Sequence, residues 1–345
     1  MNEEVMNNEK AIDKKKIILL SGIAAYIVLM IIATFFDLQI NNVVADLNAG
    51  EYYSRNIFGR IFDDLGALPV YMLVAIAFGV IFFYSDKIKD KAYRYIVKFV
   101  CALIAFIFWF LLVRKFVSYI AAHYNYEDKL DSVATFAFSV AGLILCLLTL
   151  YVLSKQDKET IARLYVWSLI IIFTAAISQA FAQGIKVIAS RPRYCTMAIL
   201  EESGDGGFSM YKRWYQFSGI KKVSERWQEL GIAADGLKSF PSGHVASTTM
   251  LVTLLALPDL LPGLNEKKPK IILWCVAVAA PIIVAISRMV MGAHFLSDVL
   301  VGGAITVVSY WIAKGIVKNK AKKLGIKEEK DRVVLCEELI EDITE

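Results

Sequence analysis

Apolar residues gather along this chain into eight runs, at 17–36, 67–84, 96–117, 132–153, 164–185, 245–261, 271–286 and 296–317, separated by polar stretches. A helix of about 20 apolar residues matches the ~30 Å hydrocarbon thickness of a bilayer. The pattern therefore predicts an all-α, polytopic membrane helix bundle. The polar stretches between the runs differ in sign. Residues 87–94, 154–163, 262–270 and 318–323 carry more Lys and Arg than Asp and Glu, whereas 37–66 holds Asp37, Asp46, Glu51, Asp63 and Asp64 against Arg55 and Arg60. Basic residues beside spans mark the cytoplasmic face. This predicts both termini inside, with residues 37–66 and 186–243 outside. Residues 1–16 end in Lys14, Lys15 and Lys16 ahead of the first run, as in an uncleaved anchor.

Composition adds two exclusions. The net charge of +5 over 345 residues comes from the short loops and tails, so no basic stripe or module points to a nucleic-acid partner. Cys101, Cys146 and Cys275 lie in apolar runs and Cys336 in the tail, which leaves Cys195 alone on the outer side and predicts no disulfide framework. The tail, 318–345, mixes charges and reads as solvated, with the lysines of 318–323 serving as stop-transfer charge. Of the three histidines, His123 has no chemical company in the sequence and reads as a loop or interfacial residue.

The segment 186–243 is too long for an idle connection in a compact bundle. It carries Phe208, Tyr211, Trp214, Tyr215, Phe217 and Trp227 among Lys212, Arg213, Lys221, Lys222 and Arg226. Aromatics at headgroup level, with cations beside them, suit either guidance of an anionic headgroup or a self-packed cap.

Three polar clusters lie at predicted outer membrane boundaries. Lys186, Arg191 and Arg193 form the first; three cations there suit a phosphate, although Arg191 alone reads as interfacial snorkelling. Pro241-Ser242-Gly243-His244 precedes an apolar run, where glycine lets the backbone approach a ligand and helix N–H groups face an anion. The third holds Ser287, Arg288, His294 and Asp298. His294 and Asp298 are four apart, on one helical face, where the carboxylate can orient the imidazole. Ionisable groups at such depth are functional by default.

Together, Lys-x6-Arg, Pro-Ser-Gly-His and Ser-Arg-x5-His-x3-Asp resemble the signature of the type 2 phosphatidic acid phosphatase family, which shares its core with vanadium haloperoxidases. The resemblance implies a six-helix phosphatase core over 96–317, with 17–95 as a two-span N-terminal addition. It departs at Tyr194, where the family has proline after the arginine. It further implies His294 as nucleophile forming a phosphohistidine, Asp298 as its orienting partner, and His244 as acid and then base. Lys186, Arg193, Ser242, Gly243 and Arg288 would hold the phosphoryl oxygens. Neither metal nor cofactor is expected. The expected partners are the bilayer and a lipid phosphate or pyrophosphate at the outer leaflet, such as undecaprenyl pyrophosphate or phosphatidic acid. A lipid phosphotransferase would use the same residues. A transport or lipid-binding protein would need the cations but not two histidines with a carboxylate.

Overall fold

The computed structural model describes residues 3–48, 54–124, 126, 131–232 and 235–323, with side-chain detail confined to residue 17 and residues 19–318 of that set. The tail from residue 324, Cys336 and Glu51 lie outside the described residues. The chain forms long helices: α1 (Glu3–Val44), α2 (Ile57–Gly66), α3 (Leu68–Tyr84), α4 (Lys91–His123), α5 (Ser132–Ser154) and α6 (Lys158–Ala189). Short α7 (Tyr194–Glu202) and α8 (Glu225–Glu229) follow in the long segment, then α9 (Gly243–Thr249), α10 (Leu257–Leu260), α11 (Lys267–Val290) and α12 (Leu296–Lys323).

Among the described residues, seven helices are long and apolar enough to cross a membrane, which makes this a multi-pass membrane protein. The eighth expected span, 245–261, is not a single α-helix. α9 ends at Thr249, a 3-10 stretch runs Met250–Ala256, and α10 completes the run. Proline explains the change of pitch. Pro258 has no N–H to offer Leu254 four residues back, and the Leu254 carbonyl accepts from Leu257 N instead. The Thr253 carbonyl is taken by the indole N–H of Trp167 at 2.9 Å.

The helices of 17–95, expected as an addition to a core at 96–317, make extensive contacts with the later ones. α6 packs on α12 and α3; α9 packs on α12, α11 and α3; α1 lies against α12 and α11. α4 and α5 pack on one another and on α3. The N-terminal helices thus pack against the rest of the bundle, α3 at its centre and α1 along its edge. The buried positions of α1 explain why: Ala33, Asp37 and Asn41 share one helical stripe turned to α12, while Ile27, Ile31, Phe35 and Phe36 face outward. Outward apolar side chains are what lipid contact requires.

The two ends of the bundle differ. At one end the η turn Ser85–Lys87 and residues 154–158 line a shared hollow, Arg163 donates to Leu260 O at 3.0 Å, and Lys314 pairs with Asp259 at 3.4 Å. The three polar clusters meet at the opposite end.

Candidate active site

The turn between α11 and α12 carries His294. Gly292 makes it possible: its φ is 61°, and a Cβ there would lie 2.9 Å from the Leu47 side chain. Cys195 N donates to Gly292 O at 2.9 Å, so the start of α7 is tied to this turn. Both Ala293 N and His294 N donate to Arg288 O, and Asn41 Nδ2 of α1 donates to His294 O at 3.1 Å. The imidazole is fully buried. Its Nδ1 lies 2.5 Å from Ser239 O; a carbonyl can only accept, so the ring proton is at Nδ1 and the lone pair at Nε2. Nε2 has no protein partner. Burial pushes the His294 pKa down to about 3, with Arg193 and Arg288 adding to the effect against Asp298, so the ring is neutral at ordinary pH.

Asp298 is close to His294 but is not its direct partner. The separation from Nδ1 to Asp298 Oδ2 is 3.8 Å. That oxygen instead accepts from the Ser239 hydroxyl and from Phe295 N. Sequence spacing placed the carboxylate on the correct face; the missing participant was Ser239, whose carbonyl holds the ring and whose hydroxyl holds the carboxylate.

Arg191 is not an interfacial side chain. It is buried, donates to Asp298 Oδ1 at 2.5 Å and to Asp37 Oδ2 at 3.0 Å, and lies 4.2 Å over the Phe295 ring. Asp37 also accepts from Ser297 N and the Ser297 hydroxyl. The buried guanidinium bridges the two carboxylates, and it fixes α1, the loop after α6 and α12 together. Asp37 follows directly on an apolar run, and a carboxylate at such depth was the available signal.

Arg193 N donates to Gly236 O, and its guanidinium pairs with Asp235 at 2.5 Å. Tyr194, at the position of the family's proline, opens α7 and packs its ring 5.2 Å from Phe208 and 6.3 Å from Phe295. Pro-Ser-Gly-His caps α9: Ser242 is the N-cap, and Ser242 N donates to Asp298 O at 2.9 Å. A Cβ on Gly243 would stand 3.3 Å from Lys186 Nζ, so glycine is what lets the lysine reach this backbone. Arg193, His244 and Arg288 line one small cavity of about 50 Å³ with Asp63, Tyr119 and Asp235.

Asp63 on α2 was not foreseen in the site. Its Oδ1 lies 3.0 Å from His244 Nε2 and pairs with Arg288, and its Oδ2 lies 3.3 Å from His123 Nε2. His123 is therefore no loop residue: it is buried at the end of α4, with Asp64 Oδ1 3.3 Å from its Nδ1. Among the described residues, no group of three His, Cys, Asp or Glu side chains is arranged to hold a metal ion.

In the long segment, Arg191 meets the Tyr211 ring, Trp214 donates to Thr34 Oγ1 of α1 at 3.0 Å, and Trp214 and Phe217 approach Phe240. Tyr215, Phe217 and Ile220 remain exposed. The segment is thus part cap and part apolar outer surface.

A family model described as the PAP2 superfamily matches residues 167–322. A curated protein of Bacillus subtilis (strain 168), phosphatidylglycerophosphatase B, is 34% identical over 104 residues, a match covering 28% of this chain and 50% of that relative. The match thus spans about half of the relative's length. No solved structure matches.

Proposed function

We propose, from the match of residues 167–322 to the PAP2 superfamily, that this membrane protein is a phosphatase that hydrolyses a lipid phosphate or pyrophosphate at the outer leaflet through a phosphohistidine on His294. One observation carries the reading: a buried, neutral imidazole whose proton is fixed at Nδ1 by Ser239 O and whose Nε2 is unpartnered. Such a nitrogen is a nucleophile held in its reactive tautomer. Asp298 acts on it through Ser239. Lys186, Arg193 and Arg288, with the Ser242 hydroxyl and Gly243 N–H, surround the phosphoryl oxygens on which transition-state charge is spread. His244 gives its proton to the leaving oxygen and takes one from water in the second half-reaction.

A site at the bundle end suits a substrate whose tail stays in the bilayer. The basic turns at the other end support placing the site outside. The Bacillus subtilis relative's name adds phosphatidylglycerophosphate to the candidate substrates, beside phosphatidic acid and undecaprenyl pyrophosphate. The test is phosphate release from these three lipids by the purified full chain and by His294→Ala. Activity on at least one lipid, lost by ~10³-fold or more in the variant, is expected. Full activity in His294→Ala removes the nucleophile assignment.

A further inference from the structure

The proposed mechanism asks His244 to carry a proton in a place hostile to one. Burial pushes its pKa down to about 4, and Arg288 and Lys186 add to the effect. The charged or titratable groups facing it from the surrounding elements are Asp63 of α2, Tyr119 of α4, whose ring lies 5.3 Å away, Lys186 of α6 and Arg288 of α11. α12 contributes Asp298, whose carboxylate is turned to Ser239 and Arg191. Asp63 is the one anion among those in contact with the ring.

The geometry of that contact is informative. Asp63 Oδ1 is 3.0 Å from His244 Nε2, close enough to hold that ring nitrogen and to favour its charged form. The carboxylate thus supplies negative charge directly beside the ring. Its other oxygen accepts from His123 Nε2 at 3.3 Å, and Asp64 stands 3.3 Å from the far side of that second ring. Asp63, Asp64 and His123 all lie outside the matched residues 167–322.

We infer that Asp63, clamped by His123, is the positioning residue for His244 and the counter-charge that lets it act as the general acid. This rests on the phosphatase reading above. In the first step His294 Nε2 bonds to phosphorus, the P–O ester bond breaks, and the proton on His244 passes to the departing alkoxide. In the second, water adds to phosphorus, the P–N bond breaks, and one water proton returns to His244. Asp63 stays ionised throughout, and the electrons and protons balance over the cycle.

Leaving-group dependence separates this role from a structural one. The purified full chain is assayed on dioleoyl phosphatidic acid, whose alkoxide must be protonated, and on p-nitrophenyl phosphate, whose phenolate departs without a proton. Asp63→Asn is expected to lower kcat on phosphatidic acid by ~10²–10³-fold and on p-nitrophenyl phosphate by less than ~10-fold. Asp63→Glu should recover part of the loss. His123→Gln should cost roughly 10-fold on the lipid alone, and should move the alkaline limb of the kcat profile to lower pH, because His244 then loses its proton more readily. If Asp63→Asn does not fold, the Glu and Gln variants carry the test. Equal losses on both substrates, or an unmoved pH profile in His123→Gln, overturn the inference. If phosphatidic acid is not turned over, the active one of the other two lipids replaces it in the comparison; a native chain inactive on all three lipids and on p-nitrophenyl phosphate overturns the phosphatase reading itself, a result distinct from either variant pattern.

Discussion

At the scale of single residues, the buried charges decide the outcome. Arg191 bridges the carboxylates of Asp37 and Asp298 in a buried place, and removing it leaves both without their cation. Arg191→Met is expected to cost about 3–5 kcal/mol, read as a lowered midpoint of thermal unfolding in detergent, with phosphate release lost as Asp298 shifts. His294 predicts a pH dependence. Its pKa in the folded chain, about 3, lies below the value of ~6.5 expected when unfolded. Protonation therefore favours the unfolded chain. The group's contribution is fully present above pH ~6.5 and is lost as pH falls towards the folded value. Between pH 7 and pH 4.5 the unfolding midpoint of the native chain should fall further than that of His294→Asn, which has no such proton to gain. Equal falls would mean that the ring is not held neutral by burial.

At the scale of helices, glycine sets how closely α12 and α9 approach. A Cβ on Gly302 would collide with Ser242 O, on the residue that caps α9 and is bonded to Asp298. Gly302→Ala should therefore pry the Pro-Ser-Gly-His turn from α12, costing about 1–3 kcal/mol and lowering phosphate release; thermal unfolding and the lipid assay read the two effects. This scale also marks what was legible in the sequence. The spans were visible because hydropathy over a whole helix is a sum, insensitive to partners. So were Lys186, His244, Arg288 and His294, whose types and spacing are local. Which helices touch is not local. The acidic stretch 37–66 read only as an outer loop, and nothing in its own composition said that Asp63 would reach Arg288 or Asp37 would reach Arg191. His123 looked isolated for the same reason, since its partners are about 60 residues away in the chain. The split of the run at 245–261 was signalled by Pro258, but an apolar run hides such a break when only its length is counted.

At the scale of the whole molecule, polarity along the bundle axis is the argument for the proposed orientation. All three chemical clusters open at one end, and the turns at 85–90 and 154–158, with Lys87 and Lys158 on a shared hollow, close the other. Basic turns are retained on the cytoplasmic side, which supports the proposal that the phosphate site faces out, with the exposed Tyr215, Phe217 and Ile220 at headgroup level. Two cysteine substitutions test this in intact cells. Ile220→Cys lies at 75% exposure on the site end and should react with a membrane-impermeant thiol reagent from outside. Lys89→Cys, on the basic turn, should react only after lysis. Of the five native cysteines, Cys336 in the tail is replaced by Ser in both variants, so that labelling after lysis reports residue 89; the other four are free. Cys101, Cys146 and Cys195 are buried, and Cys275 sits in the apolar α11, where a charged reagent does not partition. The reverse labelling pattern would turn the bundle over, placing the phosphate chemistry on the cytoplasmic leaflet and requiring a substrate presented from that side.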